Sequence, residues 1–265
     1  MRKSLLSLAV LGALSVPTVS FAEDAAPAVA PASPHTVAYN VGLFSQYIFR
    51  GLAQTGEDLA LQGGVDYAHA SGFYAGAWAS NISWLEDDGL YQNSSLELDV
   101  YGGYANTFGE SGVGYNVGLL QYIYPGDKQS GTGYDKAETT ELYASLSYKW
   151  AQAKLSYGLT DIFGVKDSDG SYYAELNANI PLGETGFTAI AHVGYQDFAG
   201  SANNKLSYTD WKLGVSKAFA SGVTVGAYYT DTDSSKGDSS AAGYVDGSGT
   251  YLGDNAFTAY VSKAF

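Results

Sequence analysis

The residues of this chain that could do chemistry are mostly carboxylates, since the sequence has 27 Asp and Glu against 13 Lys and Arg, three His and no Cys. Acyl-transfer chemistry would require a nucleophile beside a His that a third group orients. His192 is the best candidate for that His, because it lies within a long segment of alternating polarity, but no Ser or Asp spacing completes a triad with it. The sequence therefore predicts no enzyme, no catalytic residue, no cofactor and no metal, and a hydrolase based on His192 is the weaker alternative.

Ionisable residues also occur at every second position of several apolar segments, as in SLELDV and YTDWKLGV. Because successive side chains of a strand point to opposite faces, these residues share one face and the large apolar residues share the other. If the strands close around the polar face, the charged residues line a lumen. In a water-filled lumen they set the ion selectivity of a pore, whereas in a dry lumen they must pair with one another and form a plug. The candidates for a constriction in the outer half of such a pore are Arg50, Glu97, Asp99, Glu141, Glu175, Asp210 and Lys212. Expected on the same face, nearer the other end, are Asp66, Lys149 and Lys154.

Twelve segments could position these side chains, because each alternates apolar with small or polar residues and ends in a turn. They lie near 37–52, 59–69, 73–82, 95–108, 113–125, 139–150, 153–163, 171–181, 187–197, 208–219, 223–232 and 255–265. Tight connections, such as 70–72 and the turn predicted at Ala151–Gln152, alternate with long stretches rich in Gly, Ser and Asp, such as 83–94 and 233–254. Strand length, even number and this asymmetry predict an all-β fold: a transmembrane antiparallel up-and-down β-barrel of about 12 strands, with short periplasmic turns and long outer loops.

The face opposite the ionisable residues is apolar in nearly every segment, with aromatics near strand ends and aliphatics between them, as membrane girdles require. A water-soluble β-sandwich would also alternate, but its strands would be shorter. In the first segment the outward residues are predicted to be Val37, Tyr39, Val41, Leu43, Tyr47 and Phe49. The phase of segment 73–82 stays open, because Trp78 points inward when Phe73 points outward. Repeated inward Gly, as at Gly118 and Gly226, indicates either curvature or room for a pore.

The N-terminus is typical of an exported protein. Met1–Lys3 is positively charged, Leu5–Val16 is apolar and Ser20–Ala22 has the small-x-small pattern of a cleavage site. The predicted organisation is a signal peptide over 1–22, a Pro/Ala-rich periplasmic linker over 23–36 and an outer-membrane barrel over 37–265. A formal net charge of −14 without a basic stripe argues against nucleic acid as a partner.

The sequence ends in a further alternating segment, NAFTAYVSKAF. Phe265 resembles the terminal aromatic by which the barrel-assembly machinery recognises its substrates, although Lys263 occupies a position that is usually apolar there. The stem of Lys263 could reach lipid headgroups at the rim. The expected partners are therefore the barrel-assembly machinery during insertion and outer-membrane lipid afterwards.

Several longer segments resemble one protein family. They read FSQYIFRGLAQT and LALQGGVDYAHASGFYAGAWASN near the start, followed by SLELDVYGGY, HVGYQDF and YTDWKLGVSKAF. Together they resemble the TorF-type porins of proteobacteria over the whole chain from about Val37. The resemblance implies an outer-membrane barrel of a Gram-negative cell with a channel role, and it implies no particular substrate and no catalytic residue.

Two functions follow from these patterns as hypotheses. The first is a porin-like channel for the passive diffusion of small hydrophilic solutes, with a preference for cations because carboxylates exceed bases on the inward face. The alternative is a non-conducting outer-membrane barrel whose acidic outer loops, above all 233–254, bind something at the cell surface. Small barrels are filled by side chains, and large barrels enclose a water-filled channel. A barrel of twelve strands is intermediate in size, so the strand count does not decide between the channel and the non-conducting barrel.

Overall fold

The alternating segments form long antiparallel strands, and twelve of them close into one barrel. The computed structural model describes residues 33–237 and 243–265, so the predicted signal peptide and most of the predicted linker lie outside the described residues. The strands in chain order are β1 (His35–Phe44), β2 (Ile48–Phe49), β3 (Leu52–Ala53), β4 (Ala60–His69), β5 (Phe73–Asn81), β6 (Leu96–Thr107), β7 (Val113–Ile123), β8 (Thr139–Tyr148), β9 (Ala151–Gly158), β10 (Tyr172–Pro181), β11 (Phe187–Asp197), β12 (Tyr208–Ala218), β13 (Val223–Thr232) and β14 (Ala256–Ala264). The barrel comprises β1 and β4–β14, which confirms the predicted fold class.

Two short helical turns lie in the long connections: α1 spans Trp84–Asp87, and a 3₁₀ turn spans Asn204–Leu206. Across residues 33–237 and 243–265, no helix has the length and apolar character needed to cross a membrane.

The barrel closes where β1 pairs with both β14 and β4. Tyr39 and Phe265 exchange two backbone hydrogen bonds, with N···O distances of 3.3 and 2.9 Å, so the last residue is fixed to the ladder while its ring stays exposed. Short connections such as 70–72 and 219–222 lie at the end of the barrel where β1 begins and β14 ends. The long connections lie at the opposite end, so the barrel has a short-turn end and a long-loop end.

The outer surface of the barrel is apolar. Leu61 and Leu213 are 60% and 56% exposed, and Val100, Leu119 and Leu142 are exposed at corresponding mid-strand positions. In β4–β14 such residues occupy the alternating positions predicted to face outward. Soluble proteins rarely expose a contiguous apolar surface of this size, whereas lipid chains are the natural solvent for it.

The first predicted segment, 37–52, is wrong beyond Phe44, because the chain leaves the barrel wall there. Ser45 makes the last backbone hydrogen bond with the neighbouring strand: its N–H donates to the carbonyl of Ala259 at 2.8 Å, and its hydroxyl accepts from the Ala259 N–H at 3.0 Å. The hydroxyl thus replaces a backbone carbonyl, and the chain is free to turn into the lumen.

Residues 45–59, here called the inner hairpin, enter the lumen from the long-loop end. β2 and β3 pair around a turn at Arg50 and Gly51, whose φ angles are 47° and 80°. Two consecutive positive φ values are typical of a two-residue hairpin turn, and Gly adopts such a value without steric cost. Tyr47 and Phe49 therefore lie inside the barrel, and the prediction that they face outward is wrong.

A second correction concerns the tight turn predicted at Ala151–Gln152. The turn lies two residues earlier, at Lys149 and Trp150, because Lys149 takes the left-handed φ of 54° and Ala151 already begins β9. Lys149 is consequently exposed in the turn, with its amine 5.2 Å from the Tyr148 ring centroid, and does not face the lumen as predicted.

The inward glycines provide space for aromatic rings from neighbouring strands. A Cβ added to Gly118 would lie 2.5 Å from the Tyr143 hydroxyl, and one added to Gly226 would lie 2.5 Å from the ring of Tyr260. The same relation holds for the pairs Gly76–Tyr101, Gly103–Tyr74 and Gly194–Tyr173. Trp78 also points inward and is 5% exposed, which settles the phase of β5 with Phe73 outward. Rings laid over glycines therefore fill much of the lumen.

Candidate functional site

Arg50 lies at the tip of the inner hairpin, and its guanidinium crosses the lumen to the far wall. Nη1 donates to Oε1 of Gln196 at 2.7 Å, and Nη2 lies 2.8 Å from each carboxylate oxygen of Glu141. The ring centroid of Tyr173 is 4.4 Å from the guanidinium carbon. The side chains of Arg50 and Glu141 are 6% and 2% exposed. This buried, charge-assisted contact fastens the hairpin to β8 and β11.

Tyr47 attaches the base of the hairpin to the opposite side of the barrel. Its hydroxyl donates to Oε1 of Glu97 at 2.9 Å, and its ring packs edge-on against Trp78 with centroids 5.5 Å apart. Asp99, two residues along β6, is fully buried, and neither of its carboxylate oxygens has a hydrogen-bond partner among the described residues. The Glu97–Asp99 wall is therefore an acidic surface that is only partly neutralised.

His192 lies in a hydrogen-bonded network on β10–β12. Nδ1 is 2.7 Å from Oδ1 of Asn177, and Nε2 is 2.9 Å from Oδ1 of Asp210 and from the Tyr173 hydroxyl. Tyr173 in turn donates to Oδ2 of Asp210 at 2.7 Å. Both ring nitrogens of His192 therefore have hydrogen-bond partners within this network. His192 is thus a hydrogen-bonded lumen residue, and its hydrogen-bond partners among the described residues include no Ser or Thr nucleophile.

The remaining inward bases lie beside this network. Nζ of Lys154 is 3.7 Å from Oε1 of Glu175, which also accepts from Asn177 at 2.8 Å through its other oxygen. Nζ of Lys212 is 5.1 Å from the ring centroid of Tyr228. The wall formed by β9–β12 therefore carries both inward lysines, beside the carboxylates of Glu175 and Asp210.

The lumen is closed at the level of the inner hairpin and wider below it. Glu97, Asp99, Glu141 and Asp210 are at most 2% exposed, so no water-sized gap lies beside them. Towards the short-turn end the inward side chains become half-buried and are mostly uncharged; they include Asn40, Gln152, Asn179 and Thr188. The polar part of the lumen near the short-turn end is here called the lower vestibule.

All seven residues predicted to form a constriction lie inside the barrel: Arg50 from the hairpin, and Glu97, Asp99, Glu141, Glu175, Asp210 and Lys212 from the walls. Their residue types and strand parity were sufficient to place the six wall residues. Sequence reasoning missed Tyr47, Tyr173 and Gln196, which hold them. The two-residue sequence Arg50–Gly51 in the middle of an alternating run is the signal that could have indicated the hairpin.

A second space, here called the outer cavity, lies between the inner hairpin and the long connections. Its volume is about 340 Å³. The floor includes Phe49, Arg50 and Gln196, and the walls come from loop and strand-end residues. Its aromatic residues are Phe49, Trp84, Tyr124, Tyr134, Phe163, Phe198, Tyr208 and Tyr244. A cavity of this size with aromatic walls and few polar groups has the usual character of a small-molecule site.

Two carboxylates, Asp88 and Asp246, line the outer cavity. Burial, together with the nearby carboxylates of Asp246 and Asp87, raises the pKa of Asp88 to about 7. Burial opposes ionisation of Asp246 as well, but hydrogen bonds from Ser248 and Thr250 outweigh it and lower the pKa of Asp246. The cavity therefore holds a fixed negative charge at Asp246 beside a carboxylate that ionises near neutral pH.

A family model described as "Bacterial protein of unknown function (Gcw_chp)" matches residues 28–265. That description does not carry the TorF-type name, which stays a prediction. No curated protein matches the chain.

Among solved structures, the KdgM porin is similar at 8% identity with a TM-score of 0.49, covering 86% of this chain and 98% of that one. The NanC porin is similar at 13% identity with a TM-score of 0.48, covering 86% and 99%. OccAB3 of Acinetobacter baumannii is similar at 9% identity with a TM-score of 0.42, covering 89% and 65%. At these identities and TM-scores the similarity carries no argument about function.

Proposed function

We propose a function for this protein from its own geometry, because the chain belongs to Gcw_chp, a family of bacterial proteins of unknown function. The protein is a porin-like channel of the bacterial outer membrane that lets small hydrophilic solutes diffuse passively. It is narrow, and the inner hairpin closes it at rest.

One observation carries the proposal: a closed barrel with an apolar exterior encloses a lumen whose side chains are polar or ionisable. Charged groups inside a barrel are costly, and in membrane proteins they mark pathways for ions and solutes. The lower vestibule already provides a polar entrance from the short-turn end, which we assign to the periplasm because outer-membrane barrels have short periplasmic turns. The proposed path through the molecule opens when the hairpin moves.

We further propose that cations pass more easily than anions. The inward carboxylates are Asp66, Glu97, Asp99, Glu141, Glu175 and Asp210, and the inward Arg and Lys residues are Arg50, Lys154 and Lys212. An excess of fixed negative charge along a narrow path lowers the energy of a cation and raises that of an anion. Asp99 is the first of these carboxyl groups to test, because it is fully buried and has no hydrogen-bond partner among the described residues.

Single-channel recording from refolded protein across a salt gradient tests the proposal. We expect brief discrete steps with a cation-selective reversal potential. The double variant Glu97→Gln, Asp99→Asn should shift that potential towards zero, whereas Glu110→Gln, in an exposed short turn, should leave it unchanged. Silence from protein that is demonstrably folded would contradict conduction.

The filled lumen favours a second candidate function, a non-conducting barrel that binds a molecule from outside. The tight contacts of Arg50 and Tyr47 would then be permanent, and the hairpin would be a plug. The two candidates separate in one experiment, because a permanent plug predicts no current from the wild-type protein at any voltage or pH.

A further inference from the structure

We infer that the outer cavity binds an organic cation, with an ammonium group near Asp88 and Asp246 and an apolar or aromatic body against the aromatic walls. This site goes beyond the proposed channel and does not depend on it, because a ligand can bind above a lumen that never opens.

The shape and lining of the outer cavity argue for a compact organic ligand. Eight of its 21 lining residues are aromatic, and they come from six separate parts of the chain, so their positions depend on the closed barrel. Some rings are held by other rings: Trp84 packs edge-on against Tyr124, and Tyr208 against Tyr244, with centroids 5.7 and 5.2 Å apart. Aromatic faces attract cations through the ring quadrupole, and this attraction grows when water is excluded.

The charges of the outer cavity argue for a positive ligand. Among the described residues that line it, Arg50 is the one base, and it already donates to both oxygens of Glu141 and to Gln196. Neither Asp88 nor Asp246 forms an ion pair within residues 33–237 and 243–265. The cavity as a whole is therefore negatively charged above a neutral ion pair.

The two carboxylates also differ in how firmly they are held. Oδ1 of Asp246 accepts hydrogen bonds from the N–H and hydroxyl of Ser248 and from the N–H of Thr250, at 2.7 to 2.9 Å. Asp88 has no comparable donors among the described residues, and its raised pKa reports the resulting desolvation and repulsion. A bound ammonium group would offset both effects at Asp88, while Asp246 provides a fixed second charge.

Isothermal titration of the refolded, detergent-solubilised barrel tests this inference. The probes are benzyltrimethylammonium, benzyl alcohol and phenylacetate, which share a ring and differ in charge. Titrations at pH 8 keep Asp88 ionised. We expect saturable binding of the cation, at least about tenfold weaker binding of the alcohol and weakest binding of the anion.

Two variants locate the site. Asp88→Asn should weaken binding of the cation roughly five- to tenfold, whereas Glu86→Gln, which removes an exposed charge from the same helical turn, should change it less than about twofold. Heat-modifiable electrophoretic mobility verifies that each variant is folded.

The absence of saturable cation binding, equal or tighter binding of phenylacetate, or equal effects of the two variants would each overturn the inference. Because no current is measured, a barrel that binds the cation but never conducts contradicts only the channel.

Discussion

Gly103 shows how closely single residues determine the packing of the lumen. A Cβ at this position would lie 2.4 Å from the carbonyl oxygen of Val117 and 2.6 Å from the Tyr74 hydroxyl. The carbonyl belongs to the neighbouring strand and cannot move aside. The adjacent Gly102 faces outward, where its closest contact would be 3.2 Å from the Tyr74 carbonyl.

We therefore expect Gly103→Ala to lower the free energy of unfolding by about 1–3 kcal/mol, as overpacking does elsewhere. Gly102→Ala is the matched control and should be near neutral. Urea unfolding in lipid vesicles measures both. Equal effects of the two substitutions would show that the lumen is looser than these contacts indicate.

Asp88 makes the packing of the long connections sensitive to pH. Its pKa of about 7 in the folded protein exceeds the ordinary value of 3.8, so between these values the folded state holds a proton that the unfolded chain has lost. The stabilisation from that proton is complete at low pH and disappears as the pH rises through 7. Part of this effect is screened, because Asp88 is only half-buried.

Hydrogen exchange over residues 83–94, corrected for intrinsic rates, should accordingly be several-fold faster at pH 8 than at pH 5. Asp88→Asn should remove this difference, because the amide stays neutral at both pH values, while Glu86→Gln should retain it. A wild-type loop with the same protection at both pH values would refute the assigned role of Asp88.

At the scale of elements, the inner hairpin is the segment on which the proposed function depends. Arg50→Ala removes the contacts to Glu141 and Gln196 that hold its tip across the lumen. It also leaves Glu141 as a buried carboxylate without its partner. We expect a larger open probability and stronger cation selectivity in bilayer recordings. Lys149→Ala removes the same charge from an exposed turn and should behave like the wild-type protein.

Sequence patterns predicted most elements but not this one. Alternation of apolar with small or polar residues is enough to predict that residues such as Leu61, Val100 and Leu119 face outward. The alternation of tight and long connections then predicts that consecutive strands run up and down next to each other. Tyr47 and Phe49 have the same parity as Val41 and Leu43, so the sequence pattern continues β1 through them. The contacts that place the rings of Tyr47 and Phe49 inside the barrel come from distant strands, because the hairpin binds Glu97 and Glu141 there. The local sequence does not contain this information.

The filling of the lumen could not be predicted from the sequence for the same reason. An inward Gly is compatible with curvature, with an open pore or with a ring lying over it. Which of these applies depends on register: Gly118 lies opposite Tyr143, and Gly226 lies opposite Tyr260. Alternation along one strand does not give the register with its neighbour, so it does not show which ring lies beside which glycine.

At the scale of the whole molecule, the apolar exterior predicts how the barrel responds to charge. Leu119 faces outward in the middle of β7, whereas Tyr148 faces outward at the short-turn end of β8. Leu119→Arg should lower the free energy of unfolding in lipid vesicles by about 2–4 kcal/mol, and Tyr148→Arg by about 0–1 kcal/mol, as depth in a bilayer requires. Equal costs at the two positions would argue against a membrane around the barrel.

Two spaces and a charged network between them lie along the barrel axis. The outer cavity lies above the inner hairpin, the charged network of Arg50, Glu141 and Asp210 lies at its level, and the polar lower vestibule lies beneath it. In the proposed channel, movement of the hairpin joins the two spaces into one path. Conduction therefore depends on whether that segment is what closes the barrel.

The most direct measurement is the conductance of a variant in which residues 46–56 are replaced by a short Gly-Ser linker, recorded beside the wild-type protein in planar bilayers. We predict large, sustained, cation-selective steps from the variant and small, brief steps from the wild-type protein. A folded variant that passes no more current than the wild type would show that the walls alone close the lumen, and would contradict the hairpin as the gate.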